Sequence, residues 1–346
     1  MIRSILLLGI VFVIATVSGY SQRQYASSSV LSSGNWLKIA VKEAGIYKVD
    51  ANLLTPLGAG GAGVSSSSIR LYGNGGAILG EQGNADYIDD LFENAIQVVD
   101  GGDGIFNNND YFLFYSNGSG SWQKDSLQQS FRFIKNLYSD SAYYYISIGG
   151  TGKRIQEQNS IPISTVTVTS FQERAVMEND LVNLMGSGKE WYGEKFTLGS
   201  LSKTFAVNWP NVITQTPFRV RASFASRNVG ATASMLTTVN GTLSTPFIFP
   251  SVTGTFLDRY AVHQEQEQLY HASQSSTIIR FDYQSTASGA ECWLNRFELF
   301  GRRALIKTAD QVLFFRDWSS VSNGAVARFE ISGATTALKV WDITSP

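Results

Sequence analysis

The chain is short of the residues that do covalent chemistry. Its 346 residues include one cysteine, Cys292, and two histidines, His263 and His271. A single cysteine excludes an internal disulfide, so an exported chain of this kind must be held together by apolar burial. It also leaves one thiol for nucleophilic catalysis. That thiol lies in Glu291-Cys292-Trp293-Leu294-Asn295-Arg296-Phe297-Glu298-Leu299-Phe300, an alternating run in which a small side chain reads as a packing residue. The histidines lack a third ligand at familiar spacing and make no zinc site. Charge is also scarce, 16% against the ~25% of an average soluble domain, and Ser, Thr, Asn, Gln and Gly take its place. With a formal net charge of -1, clustered Lys and Arg are missing, which removes the electrostatic case for nucleic acid or an anionic lipid surface.

What is present begins with a leader. Arg3 precedes an apolar run from Ile5 to Val17, and Val17-Ser18-Gly19 offers small residues for cleavage. A run of roughly thirteen residues falls short of the ~20 that span a bilayer, so residues 1–21 read as a removable signal peptide, cut after Gly19 or after Ser21. No cysteine follows for lipid attachment, and no second run of membrane length occurs. The chain is predicted to be exported, to the cell surface or the outer face of the outer membrane.

Beyond a Ser-rich spacer, Ser27 to Ser33, the dominant period is two. Asn35 to Lys42, Gly45 to Asp50, Ile69 to Tyr72, Asn94 to Val99, Tyr111 to Tyr115 and Tyr143 to Ile148 alternate polar with apolar residues, as half-buried strands do. Gly73-Asn74-Gly75-Gly76 and Gly149-Gly150-Thr151-Gly152 are turn sequences. Ala51 to Leu57 is briefly helical in pattern, and Phe171 to Leu184 fits a short helix or an extended arm. Lys203 to Asn208, Pro217 to Ala225, Ala233 to Val239, Ser276 to Tyr283 and Cys292 to Phe300 form a second set of strands, followed by Gln311 to Phe315, Ala325 to Ile331 and Leu338 to Asp342. The fold class is therefore all-β. Residues 30–155 and 170–305 are predicted as two sandwich or jelly-roll modules, and 306–346 as a further β segment. The end at Ser345-Pro346 fits either a linker into more chain or a short exposed tail.

Candidate sites are few. Asp100-Gly101-Gly102-Asp103-Gly104-Ile105-Phe106-Asn107-Asn108-Asn109-Asp110 carries oxygen ligands of the kind calcium takes, with Asp103, Asn107 and Asp110 as candidates. Its spacing departs from an EF-hand loop, which favours a Gly/Asn-rich hairpin connection. Gly58 to Gly63 lacks the Lys-Ser/Thr of a phosphate loop. Trp191, Tyr192, Trp209 and the Tyr143-Tyr144-Tyr145 run supply rings for sugar stacking, although aromatics alternating along strands are more often core. No catalytic residue and no cofactor site is assigned.

Several segments, in order, resemble one family. They are Trp36-Leu37-Lys38-Ile39 with Gly45-Ile46-Tyr47-Lys48-Val49-Asp50, then Ile69 to Gly76, Asp90-Leu91-Phe92-Glu93-Asn94-Ala95, Asp103-Gly104-Ile105-Phe106 with Asp110 to Tyr115, and Asn136-Leu137-Tyr138-Ser139-Asp140. Ser187-Gly188-Lys189-Glu190-Trp191 is similar to a Ser-Gly-Arg-Glu-Trp segment, with Lys189 where arginine is expected. Arg302-Arg303-Ala304-Leu305, Phe315-Arg316-Asp317 and Val340-Trp341-Asp342-Ile343-Thr344 also fit. Together they resemble the amino-terminal, non-catalytic region of the PorU family, the type IX secretion system sortases related to gingipain cysteine peptidases. The resemblance implies a parent enzyme that removes C-terminal signals from cargo and attaches the cargo to the cell surface. Its partners would be secreted cargo, outer-membrane secretion-system proteins and its own peptidase domain, which follows the Trp-Asp segment in the family. No catalytic position carries over, and Cys292 is not the family nucleophile. Two alternatives stand beside a scaffold role. One is an inhibitory propeptide, plugging a peptidase with Lys189, Arg219 or Arg221; the other is a carbohydrate-binding or adhesion protein.

Overall fold

The computed structural model describes residues 25–80, 88–161, 163–186, 188–271, 275–308 and 312–344. The signal-peptide segment 1–21, Ser187, Gln311 and the terminal Ser345-Pro346 lie outside them. Strands dominate, and no α-helix occurs among the described residues.

The first sandwich pairs Leu37–Val41, Ala142–Ile148, Ile69–Tyr72 and Glu93–Asn94 in one antiparallel sheet, and Gly45–Asp50, Tyr111–Ser116 and Gln97–Val99 in another. Alternation decides which side chains meet: along Tyr111–Ser116 every second residue is buried. Phe112 and Phe114 thereby join Val49, Leu71, Tyr144 and Ile146 in a single core.

The second sandwich is larger. One sheet runs Ser170–Glu178, Glu291–Ala304, Pro217–Arg227, Val262–His271, with Lys195–Thr197 also paired to Glu291–Ala304. The opposing sheet runs Ser202–Asn208, Ser276–Ser285, Ala233–Val239, Thr242–Leu243, with Phe247–Phe249 on Ala233–Val239. Phe224, Phe281 and Phe297 meet between the sheets, with ring centroids 5.0 Å and 5.6 Å apart. Edge-to-face packing of this kind adds to the gain from area buried.

A bulge in the central strand sets the chemistry of its two faces. Ser223 pairs with Arg296 but Phe224 pairs with Leu294, so Asn295 is an extra residue. Inward positions are Cys292 and Leu294 before it, and Phe297 and Leu299 after it. The shift in parity turns Arg296, Glu298 and Phe300 outward.

The structure settles one open alternative and alters other expectations. Phe171 to Leu184 is an extended arm, strand Ser170–Glu178, and Ala51 to Leu57 holds only the 3-10 turn Thr55–Leu57. Residues 312–315 and 338–342 form no strand, and Ala327–Phe329 pairs in parallel with Val166–Val168. Phe314, Phe315 and Trp318 instead pack sideways on Tyr115, Phe329 and Phe131, so their alternation marks contacts to separate elements. Val262–His271 is a strand although its inward positions include Gln264, Gln266 and Gln268, which hides the apolar half of the pattern.

Another unforeseen element is a hairpin, Gly120–Asp125 with Ser130–Lys135. Gly118 launches it at φ +70°, where a Cβ would stand 2.6 Å from Lys42 O. At Gly120 a Cβ would stand 2.2 Å from the Phe133 ring, so this glycine is what lets Phe133 lie across the hairpin. Gly120→Ala is expected to displace that ring and lower stability by about 1–3 kcal/mol in urea unfolding; an unchanged midpoint would show that the ring is free to move.

Candidate functional site

Outward-facing residues of the bulged sheet fall in rows across four strands. Register aligns Arg174, Phe300, Arg219 and Leu269; then Val176, Glu298, Arg221 and Glu267; then Glu178, Arg296, Ser223 and Glu265. Such a face is usually solvated. Here the hairpin from the first sandwich lies over it.

The attachment is specific. Phe133 N donates to Glu298 Oε1 at 2.8 Å, and Arg221 Nη1 donates to Glu298 Oε2 and to Phe131 O, both at 3.0 Å. Arg221 also bonds Glu267 Oε2 through Nη2 at 2.7 Å, Arg219 Nη1 donates to Gln128 O at 3.1 Å, and Arg132 pairs with Glu265. Lys135 pairs with Asp180 at 2.6 Å, tying the hairpin to the loop after Ser170–Glu178. Aromatic rings complete the seal: Trp122 meets Phe300 at 6.2 Å, and Phe131 meets Trp318 at 5.5 Å. The guanidinium of Arg174 lies 4.7 Å from the Trp122 ring and 4.5 Å from the Phe131 ring.

Glu298 is 0% exposed. Burial alone would lower the pKa of Arg221, but Glu298 and Glu267 outweigh it and hold the guanidinium above its ordinary value. Arg174 lacks such a partner, and burial, with repulsion from Arg316, pushes it down to about 9, so it keeps its charge at neutral pH beneath the two rings. Burial raises the Glu178 carboxyl above 4.5; Arg296 opposes this, and Asp180 and Glu298 add to it. Its Oε2 is buried without a hydrogen-bond partner among the described residues.

The residues singled out in the sequence do not converge. Cys292 is fully buried in the second core, where burial raises its thiol well above the ordinary value, so no thiolate forms there at neutral pH. His263 and His271 sit at opposite ends of one strand. His263 Nε2 lies 2.8 Å from Ser223 Oγ, a pair that sequence separation concealed, but Ser223 is 2% exposed and its Oγ is out of reach of a substrate carbonyl. Asp103 Oδ1 accepts from Ile105 N and Asp110 Oδ2 from Asn107 N, while Asn107 Oδ1 accepts from Asn108 Nδ2. Each of the three calcium candidates thus closes a local turn, and among the described residues no group of three His, Cys, Asp or Glu side chains gathers as a metal site. Trp209 and Tyr144 belong to different cores and Tyr192 is buried, so the suggested stacking rings form no common face. Arg219 and Arg221 are engaged by the hairpin and cannot act as a plug; Lys189 is exposed on its loop.

Dimeric latent PorU from Porphyromonas gingivalis superposes on 93% of this chain with a TM-score of 0.72 at 20% identity. The chain has the fold of the matched part of PorU. It spans 29% of the length of that PorU chain. The carbohydrate-binding module CBM36, in complex with calcium and xylotriose, aligns with 37% of this chain and 98% of its own at 13% identity and a TM-score of 0.25, a level from which no shared fold follows. No family model matches the sequence, and no curated protein matches it. The likeness to PorU is therefore one of structure, and it takes in both sandwiches. No helix among the described residues is long and apolar enough to cross a membrane.

Two substitutions probe the interface. Glu298→Ala would leave the Phe133 N–H without its acceptor and Arg221 with Glu267 and Phe131 O alone, and is expected to cost about 1–3 kcal/mol in urea unfolding. Glu178→Gln should act in the opposite sense. A raised folded-state pKa means that the folded chain holds this proton more tightly than the unfolded one, so the contribution of Glu178 is most favourable below 4.5 and declines as pH rises through the folded value. The variant should be more stable than the parent at pH 7 and indistinguishable near pH 4; melting curves at the two pH values measure the difference.

Proposed function

We propose that this chain is the non-catalytic amino-terminal scaffold of a type IX secretion system sortase of the PorU kind. The parent would remove C-terminal signals from secreted cargo and attach the cargo to the cell surface. The observation that carries this reading is the fold match over 93% of the chain, which extends across both sandwiches. The ordered motifs from Trp36-Leu37-Lys38-Ile39 to Val340-Trp341-Asp342-Ile343-Thr344 support it from the sequence side. A scaffold must transmit position without yielding, and the hydrogen-bonded, ring-sealed joint between the sandwiches suits that role. In this reading the chain is exported, its partners are its own peptidase domain and outer-membrane secretion-system proteins, and cargo is handled by the peptidase domain.

A propeptide role finds one supporting feature, the exposed Lys189, while Arg219 and Arg221 are spent on the interface. The test is made in the bacterium of origin. In-frame deletion of the codons for residues 25–344 should leave cargo carrying its C-terminal signal, as seen by mass spectrometry of secreted proteins. Normal trimming of cargo in that strain would overturn the proposal. Purified chain added to a gingipain-like peptidase separates the two roles: a scaffold leaves turnover unchanged, whereas a plug inhibits and loses inhibition with Lys189→Ala.

A further inference from the structure

Guanidinium groups outnumber carboxylates at the joint. Arg219 and Arg221 share Glu267, at 3.5 Å and 2.7 Å, and Arg221 also has Glu298. Arg302 pairs with Asp317 at 3.1 Å, while Arg303 holds Glu173 and leaves Arg316 at 3.8 Å from the same carboxylate. Those five cations draw on four carboxylates, and Arg174, beside them, pairs with none among the described residues. Charges farther out do not make up the difference. Arg132, Lys135 and Arg296 stand against Glu178, Asp180 and Glu265, and Lys124 against Asp125 on the hairpin. Lys307 borders a small cavity with Arg303 and Glu173 and adds to the positive side.

Arg174 is short of acceptors as well as of charge. Its guanidinium lies over the Trp122 and Phe131 rings, at 4.7 Å and 4.5 Å. Ring faces attract the charge but supply no oxygen to its five N–H groups. Among the described residues its side chain donates no hydrogen bond; the bond to Glu173 Oε1, 2.9 Å long, comes from the backbone N. The residue is partly exposed at the margin of the ring seal and none of its nitrogens is closed off, so the unmet N–H groups face an opening. Arg316 is near enough to repel it. Tyr115 of the first sandwich reaches the same point: burial raises its phenol pKa, and Arg174 and Arg316 oppose the rise.

Water answers the donors but leaves two like charges facing one another, whereas an anion answers both. We propose that this junction binds an oxyanion, a phosphate or carboxylate group, held by the fork of Arg174 with Arg316 beside it. Two oxygens of either group match the fork, and a halide offers one centre only. The occupant fastens three parts at one point: strand Ser170–Glu178, the segment that carries Arg316, and the first sandwich through Tyr115.

Equilibrium dialysis of the purified chain against radiolabelled inorganic phosphate tests this. Saturable binding of one equivalent is expected at millimolar phosphate, and chloride at equal ionic strength should not displace it. Acetate that displaces the label opens the site to carboxylates, and acetate without effect confines it to phosphate. Arg174→Met keeps an unbranched stem under the rings and should weaken binding by at least about tenfold, since it removes both charge and fork. Arg174→Lys keeps the charge alone and should bind with intermediate strength; it carries the comparison should Arg174→Met fail to fold. Phosphate should raise the melting temperature of the parent to a plateau and leave that of Arg174→Met unchanged. A rise without plateau, common to both, is the general effect of an excluded salt and would overturn the proposal. Absence of saturable binding, or binding by either variant equal to the parent, would overturn it as well. None of these results bears on the scaffold reading, which rests on the fold.

Discussion

Glu298 has no water to solvate it, and the rest of the molecule is arranged around that fact. Its carboxyl oxygens are answered by the Phe133 N–H of one sandwich and by Arg221 of the other. A group buried this deeply is costly unless each lone pair finds a donor. The hairpin that supplies the backbone donor therefore gives up that hydrogen bond if it lifts from the sheet, while Arg221 stays with Glu298. Two sandwiches with separate cores meet at this joint through a contact that is polar at its centre and aromatic at its rim.

The rim works by excluding water. Trp122, Phe131, Phe300 and Trp318 close over the ion pairs, and Arg174 lies beneath two of the rings with its charge intact. Lower polarity strengthens each enclosed hydrogen bond and raises the penalty for breaking any one of them. The segment after the second sandwich joins the same assembly. Arg316 Nη1 donates to Gln172 O at 3.0 Å, and Arg302 Nη2 to Asp317 Oδ1 at 3.1 Å. The chain beyond the last long strand is thus fastened to the sheet that carries the joint.

Much of the fold was legible because it rests on a local rule. Gly45–Asp50, Ile69–Tyr72 and Ala233–Val239 alternate, and they are strands with the predicted limits. Strands failed to show where one face carries glutamines, as in Val262–His271, or where burial does not alternate along the strand, as in the hairpin. The joint itself was invisible. Arg221 and Glu298 read as ordinary outward charges on two strands, and Arg219 and Arg221 were candidates for a plug, because nothing in their neighbours along the chain announces a cover arriving from residues 120–135.

Alone, the sequence determined the all-β class and pointed to a packing role for Cys292, because these follow from period-two patterning over a few residues. It also carried the motifs that point to the PorU family. Tertiary structure decided which outward faces stay wet. The bulge at Asn295 changes the parity of one strand, and Gly118 and Gly120 direct a hairpin across the resulting row of charges. Those are long-range consequences of single residues, and a pattern read along the chain contains no distance between Phe133 and Glu298.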